Sequence, residues 1–197
     1  FLVNYGILET SSYLERFNTA IQTSNLNIFE QEAVNYLKII LAKGNFQARQ
    51  VIVSLPTFSS FATLIEMPLM SDEETVKAMG VHVKQYVPLP ISSVVLDWIK
   101  VGERADDEGN RRQQLFLMAI PTAVIENYKS IFKKLDLQLV AMEIEGLSLA
   151  RIAPNESGPV LMVDIGSRST ALLVVEDGFL KFSAQTDFAG ASLTQSL

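Results

Sequence analysis

The sequence predicts an α/β or α+β domain that contains a smaller inserted unit, and two observations lead to this prediction. Strand-like segments, with alternating or β-branched apolar residues, are separated by amphipathic helical segments along the whole chain. Residues 57–121 form a compact strand–helix–strand–strand group that interrupts this order. We therefore expect residues 57–121 to be inserted between two parts of a larger sheet.

Individual elements follow from local signals. Ser71 and Glu74 form a capping box, which predicts that a helix of about four turns begins there, with Val76, Met79, Val83 and Val87 on its core face. The dipeptide Asp177-Gly178 is a strong hairpin signal. Predicted strands lie at 1–9, 50–56, 61–68, 92–101, 112–121 and 138–146, with three more in 159–188; further helices lie at 27–44, at 122–135 and after Gly146.

Composition limits the classes of function. The 197 residues are 48% apolar and 19% charged, which is typical of a globular domain, and the net charge of −6 argues against a nucleic-acid surface. The absence of cysteine excludes disulfides and thiolate metal sites, and a single histidine excludes any site that needs two imidazoles. With no apolar run near the roughly 18 residues of a membrane helix and no signal peptide, we expect a cytoplasmic protein.

Both ends of the sequence stop abruptly. Phe1 lies inside a strand-like segment, and Leu197 follows ASLTQS, where a helix starts. We expect the chain to be a fragment of a longer protein.

A polar turn between two apolar runs is the most distinctive local feature. In VDIGSRST, Asp164 ends one predicted strand, and a turn of glycine, serine, arginine and threonine leads into the next strand. Backbone N–H groups and hydroxyls in such a turn can surround a phosphate, and the acid can hold a water or Mg²⁺ beside it. A plain hairpin loop uses the same residue types, so the pattern alone leaves both interpretations open.

Two glutamates mark a second candidate position. Glu143 and Glu145 lie at a strand-to-helix junction, and Glu145, next to Gly146, is the better candidate for a cleft. We expect His82 to be structural, and Trp98 and Phe116 to pack in the core of the small unit. Neither a catalytic triad nor the glycine spacing of a Walker or Rossmann loop is present, so no catalytic residue is predicted.

Several segments together resemble a known family. The segments NYGILE, QVIVSLP, QYVPLPISSVVLDW and VDIGSRSTALLVVEDG, in this order, resemble the PilM family of type IV pilus assembly proteins, which are actin-like and related to the cell-division protein FtsA. The block from the capped helix through VPLP to VVLDW is the most specific part, whereas VDIG fits any actin-like protein. The resemblance covers essentially the whole chain.

The resemblance implies an α/β, actin-like (ribonuclease H-like) fold. It implies that 1–56 belong to the first lobe (1A), that 57–121 are the inserted 1C-type subdomain, that 122–153 return to the first lobe and that 154–197 begin the second lobe (2A). In the family, two phosphate hairpins hold ATP and Mg²⁺, and the second hairpin matches this chain. The implied nucleotide-binding residues are Asp164, Gly166, Ser167, Arg168, Ser169, Thr170 and Gly190, with Glu145 as a cleft acid and Asp164 as a Mg²⁺ ligand through water.

Ala189 stands where the family has the first glycine of a pair. The first phosphate hairpin would precede Phe1, and the adenosine-binding glycines would follow Leu197, so the fragment alone is expected to bind nucleotide weakly.

The implied function is that of an ATP-binding scaffold at the cytoplasmic face of the inner membrane, with at most weak ATPase activity. Its implied partners are the N-terminal cytoplasmic peptide of a PilN-like membrane protein and other pilus components, and it can self-associate. Two alternatives stay open. An FtsA-like filament tether would need a C-terminal amphipathic helix, and a sugar kinase-type phosphotransferase would need a general base in the cleft.

Overall fold

The structure is a computed structural model that describes residues 2–8, 30–154, 158–166 and 169–195. The described residues form eight strands and five α-helices, joined by 3-10 turns at 57–59, 83–85 and 91–93. The strands are β1 (Gln50–Leu55), β2 (Phe61–Pro68), β3 (Val94–Ala105), β4 (Arg111–Pro121), β5 (Gln138–Ile144), β6 (Val160–Ile165), β7 (Thr170–Glu176) and β8 (Phe179–Thr186). The helices are α1 (Glu30–Lys43), α2 (Asp72–His82), α3 (Thr122–Lys134), α4 (Glu145–Ala150) and α5 (Gly190–Gln195).

The chain divides into two compact units. The first comprises the described parts of Phe1–Ser54 together with Ala123–Glu143, and the second comprises Leu55–Thr122 together with the described parts of Ile144–Leu197. The elements of the predicted insertion therefore lie in the same unit as β6–β8. That they form a separate subdomain stays a prediction.

The first unit contains α1, α3 and the pair of strands β1 and β5. Glu30, at the start of α1, accepts a hydrogen bond from the Ser130 hydroxyl and lies 2.9 Å from Lys134, so it links α1 to α3. These two contacts lower the pKa of Glu30 below its ordinary value, the hydrogen bond from Ser130 being the larger cause. Residues 2–8 form neither helix nor strand, contrary to the predicted strand at 1–9. The predicted cap Asn27 lies outside the described residues.

In the second unit, β2, β4 and β3 form an antiparallel sheet in that order. The capping box is confirmed, because the Ser71 hydroxyl accepts from the Glu74 N–H while the Glu74 carboxylate accepts from the Ser71 N–H. Helix α2 and the residues after it cover one face of the sheet, and the apolar core between them is made of Ile65, Met67, Met79, Val83, Val87, Leu115, Leu117 and Ala119.

One predicted core position of α2 is wrong. Val76 is 57% exposed, and its neighbour Thr75 is buried instead. The Thr75 hydroxyl donates to the Ser71 carbonyl and accepts a 2.9 Å hydrogen bond from the Gln113 amide on β4. A buried hydroxyl whose bonds are both made costs little, so a polar residue can occupy the face that faces the sheet. His82, which we expect to be structural, is exposed on the surface.

The hairpin of β3 and β4 is longer than the sequence predicts. The segment 102–105 was expected to be loop, but it continues β3 after a bulge between Lys100 and Gly102, and only 106–110 connect the strands. Ion pairs explain the extension: Glu103 bonds across the hairpin to Arg111 at 2.5 Å, and Arg104 bonds to Glu66 on β2 at 2.6 Å. Such cross-strand charge pairs stabilise a sheet.

The strands β6, β7 and β8 form a second antiparallel sheet, as the sequence predicts. One of its faces packs with α4 and with the other side of the β4 sheet, so that β4 is buried on both faces. Phe116 is fully buried in this shared core and not in a separate core of the small unit. The core consists of Val101, Phe116, Met118, Ile144, Ala150, Ala171, Leu173, Val175 and Leu180.

Lys181 adds polar contacts between the two sheets. Its side chain is 13% exposed, and its ammonium donates 2.6 Å and 3.2 Å hydrogen bonds to the Val101 carbonyl and to the Gln114 amide oxygen. Both acceptors belong to the β2–β4–β3 sheet, so this lysine of β8 links the two sheets. In the described part of the chain, no helix is long and apolar enough to cross a membrane.

Leu173→Ala tests whether this shared core stabilises the second unit. Leu173 is 0% exposed, so its truncation leaves a cavity, and we expect the free energy of unfolding to fall by about 2–5 kcal/mol. Leu161→Ala on β6, where the leucine is 65% exposed, is the matched control and should change it by less than about 0.5 kcal/mol. Equal effects in chemical denaturation would contradict the assignment of the core.

Candidate functional site

The candidate site begins with a row of side chains across the β6–β8 sheet. Asp164 pairs with Ala171, and Ala171 pairs with Gln185, so the three side chains lie on one face of the sheet. Ala171 belongs to the shared core, so this is the core-facing side. In the next row Met162, Leu173 and Ser183 face the same way. The sheet therefore changes from apolar to polar towards the end where Asp164 lies.

Helix α4 places Glu145 at this polar end. The buried Gly146 follows Glu145, and a Cβ atom there would lie 2.9 Å from Leu180 Cδ2 and 3.2 Å from Leu173 Cδ2. Because glycine has no side chain, the helix can lie directly on β7 and β8. Glu143, by contrast, lies within β5 and belongs to the other unit.

The environment of Glu145 disfavours its charged form. Partial burial raises the pKa of Glu145 above its ordinary value, and the nearby charge of Asp164 raises it further. A hydrogen bond from the Thr57 N–H acts in the opposite direction but does not cancel these effects. The structure thus brings together the two acids that the sequence analysis selected.

Unpaired polar atoms lie on the turn and the strand next to this pair of acids. The side-chain oxygens Thr57 Oγ1, Ser59 Oγ, Ser183 Oγ and Gln185 Oε1 are buried, and none of them has a hydrogen-bond partner among the described residues. The 3-10 turn that carries Thr57 and Ser59 packs against β8, and Ser183 Oγ lies 3.8 Å from the Cβ position of Gly146. Leaving a buried polar group unpaired costs about 1–3 kcal/mol. Several such groups in one place indicate a region that holds water or a polar ligand.

The predicted phosphate turn lies next to Asp164 and is fixed by hydrogen bonds. The Gly166 N–H donates to the Ser169 carbonyl at 2.9 Å, and the Gly166 carbonyl accepts from the Gly190 N–H at 3.0 Å. The buried Thr170 hydroxyl donates to the Phe188 carbonyl at 2.7 Å. These bonds join the turn to the segment that precedes α5. The predicted site residues Ser167 and Arg168 lie outside the described residues.

These bonds limit which atoms of the two glycines and the threonine could donate to a phosphate. The N–H groups of Gly166 and Gly190 and the hydroxyl of Thr170 all donate to protein carbonyls. A Cβ atom on Gly166 would lie 3.0 Å from the Ser169 carbonyl oxygen, which explains the need for glycine. These three residues shape the turn, and any role for them at a phosphate would be close approach and not donation. Their nucleotide-binding role stays a prediction.

Oxygen is the ligand atom that this site offers. Asp164, Glu145 and Gln185 supply carboxylate and amide oxygens, the type of ligand that Mg²⁺ prefers. Among the described residues no group of three or more histidine, aspartate or glutamate side chains could hold a metal on its own. A cation bound here would therefore need ligands besides these side chains.

The sequence alone does not mark Thr57, Ser59, Ser183 and Gln185 as site residues. Each is an ordinary polar residue in a strand or turn, and no local motif marks it. The only sequence signal was that Ser183 and Gln185 lie two residues apart in a strand, and so on one face.

The fold and the site define a mixed α/β protein with a carboxylate pair at a strand end and a glycine turn. Residues 14–197 match the family of the type IV pilus assembly protein PilM. Because the match includes most of the chain, the chain belongs to the PilM family, which confirms the family predicted from the sequence.

Two solved structures share the fold. The PilM–PilN type IV pilus biogenesis complex contains a chain with a TM-score of 0.69 at 19% identity, over 83% of this chain and 50% of that one. The cytoplasmic domain of EpsL, an inner membrane component of the type II secretion system of Vibrio cholerae, gives a TM-score of 0.55 at 12% identity, over 80% of this chain and 56% of that one. The chain thus spans about half the length of each, and its mixed α/β fold is consistent with the actin-like fold predicted.

Glu145→Gln tests the electrostatics of the acid pair. Because the pKa of Glu145 is raised in the folded protein, folding favours the protonated carboxyl over the ionised carboxylate. The stability is therefore highest below the pKa of the unfolded chain, and it falls as the pH rises through the folded pKa. The variant should therefore unfold at a higher temperature than the parent at pH 7, and the difference should vanish below about pH 4, where the carboxyl is protonated in both states.

Asp107→Asn removes one negative charge from the exposed loop 106–110 and serves as the control. Thermal unfolding of the three proteins between about pH 3 and pH 8 provides the comparison. A destabilised Glu145→Gln protein at pH 7, or a gap that does not depend on pH, would count against this account.

Proposed function

We propose that the protein is an ATP-binding scaffold of a type IV pilus or related secretion machine at the inner membrane. The observation that supports ATP binding is the cluster of unpaired buried oxygens beside Asp164 and Glu145, next to the glycine turn. A folded protein that keeps several unsatisfied polar groups and two nearby acids loses stability, and a bound ligand can recover that loss.

The ligand that suits the site is a nucleotide phosphate with Mg²⁺. Two acids alone would repel a phosphate, whereas Mg²⁺ between them and the phosphate makes both contacts favourable. Asp164 would hold Mg²⁺ through a water, and the oxygens of Gln185 and Ser183 would bind the waters around it. When bound, Mg²⁺ neutralises phosphate charge. The hydrogen bond from the Thr57 N–H orients the Glu145 carboxylate. The other carboxylate oxygen would accept a further hydrogen bond in the site.

The proposed partner is the N-terminal cytoplasmic peptide of a PilN-like inner-membrane protein. Membership of the PilM family and the fold shared with a chain of a PilM–PilN complex support this partner. By the same argument the protein would lie in the cytoplasm and reach the membrane through its partner. Other pilus components and self-association belong to the same proposal, and we assign no catalytic residue.

Titration calorimetry of the full-length protein with ATP and Mg²⁺ tests the nucleotide site. We expect Asp164→Asn to weaken binding about tenfold or more, since a charged hydrogen bond contributes about 1.5–3 kcal/mol. Gln185→Leu removes the unpaired amide oxygen and should weaken binding by a smaller factor.

The control for this titration is Asp107→Asn, in a loop far along the chain from the site, which should bind like the parent. Parent-like affinity of Asp164→Asn would remove Asp164 from the site. The partner is tested separately by calorimetric titration of the same protein with a PilN-like N-terminal peptide. A titration that gives no heat of binding would contradict that part of the proposal.

A further inference from the structure

The first unit contains a groove that does not include any residue of the proposed nucleotide site. It has a volume of about 370 Å³ and is lined by the end of α3, the residue before β1 and the start of β5. This volume falls within the range of about 300–1,000 Å³ for pockets that bind small ligands. Its lining residues are Arg49, Lys129, Phe132, Lys133, Asp136, Leu137, Gln138 and Leu139, and we name it the cationic groove.

The rim of the cationic groove is positively charged. Lys129 and Lys133 are four residues apart on α3, so they lie on the same helix face, and Arg49 precedes β1. The Arg49 carbonyl accepts a 2.8 Å hydrogen bond from the Gln138 N–H, which fixes the arginine backbone beside β5. Three cations and one acid, Asp136, thus line a groove on a chain whose net charge is −6.

Most of this positive charge is not neutralised inside the protein. Lys129 forms a 2.8 Å ion pair with Glu126. None of the ion pairs within the described part of the chain uses Arg49 or Lys133. Like charges four residues apart destabilise a helix slightly, so folding alone does not favour this arrangement.

The floor of the cationic groove is apolar. Phe132 is 7% exposed and packs under the rim, and Leu137 and Leu139 are half-buried at the start of β5. The groove therefore combines an apolar floor with cations on its rim. A phosphate alone would use only the rim, whereas a peptide that alternates acidic and apolar side chains would use both.

We propose that the cationic groove binds an acidic peptide segment of a partner protein. An apolar side chain of the peptide lies on Phe132 and Leu137, and its neighbouring carboxylates pair with Arg49 and Lys133. Complementary charge and shape are the basis of this assignment. The proposal is independent of nucleotide binding, because all its residues belong to the first unit.

Fluorescence anisotropy with the full-length protein tests this proposal. The probe is a labelled seven-residue peptide that alternates glutamate and leucine. We expect saturable binding that weakens as salt is added, because salt screens exposed charges. Lys133→Gln and Arg49→Gln should each weaken binding several-fold, and the double variant should weaken it at least tenfold.

Lys38→Gln, an exposed lysine of α1 in the same unit, is the matched control and should bind like the parent. A probe with glutamine for glutamate, or with alanine for leucine, should bind more weakly than the original. The proposal would be overturned if Lys133→Gln bound the probe as tightly as Lys38→Gln. It would also be overturned if the glutamine probe bound the parent protein as tightly as the original probe. Groove-dependent binding to phosphatidylglycerol vesicles without binding of the probe would also overturn it, in favour of a lipid.

Discussion

The close contact of α4 with the β6–β8 sheet is the constraint on which the second unit depends. At Gly146 the helix lies so near the sheet that a Cβ atom would come within 2.9 Å of Leu180. This contact closes the apolar core that includes Ile144 and Ala150. It also fixes the position of Glu145, because the glutamate precedes the glycine on a short helix. One glycine therefore connects the packing of the core to the geometry of the acids.

The cost of the polar end of the sheet is offset by the core beside it. On one sheet face, Met162 and Leu173 pack in or against the apolar core, while Gln185 in the row of Asp164, and Ser183 next to it, keep unpaired oxygens. The protein gains stability from the apolar residues and gives up some of it at the polar ones. Such a local loss is typical of binding sites, where polar groups are held ready for a ligand. We interpret the polar row in this way.

Local signals were sufficient to predict much of the fold. The Ser71–Glu74 capping box, the Asp177-Gly178 hairpin and the strands around VDIG depend on neighbouring residues, and the structure contains all of them. Long-range contacts decided the rest. Strand β3 is extended by ion pairs that include Glu66, a residue far away in sequence. Thr57 and Gln185 join the candidate site only because a turn packs on β8 and because β8 pairs with β7 in one register.

The pKa of Glu145, followed by NMR titration of its carboxyl carbon in the nucleotide-free protein, tests the central claim most directly. The claim is that α4 holds Glu145 in a partly buried place beside the charge of Asp164. We predict a pKa above the ordinary value of about 4.3, which falls when Asp164 is replaced by asparagine. An ordinary pKa in the parent protein, or a raised pKa that Asp164→Asn leaves unchanged, would contradict the claim.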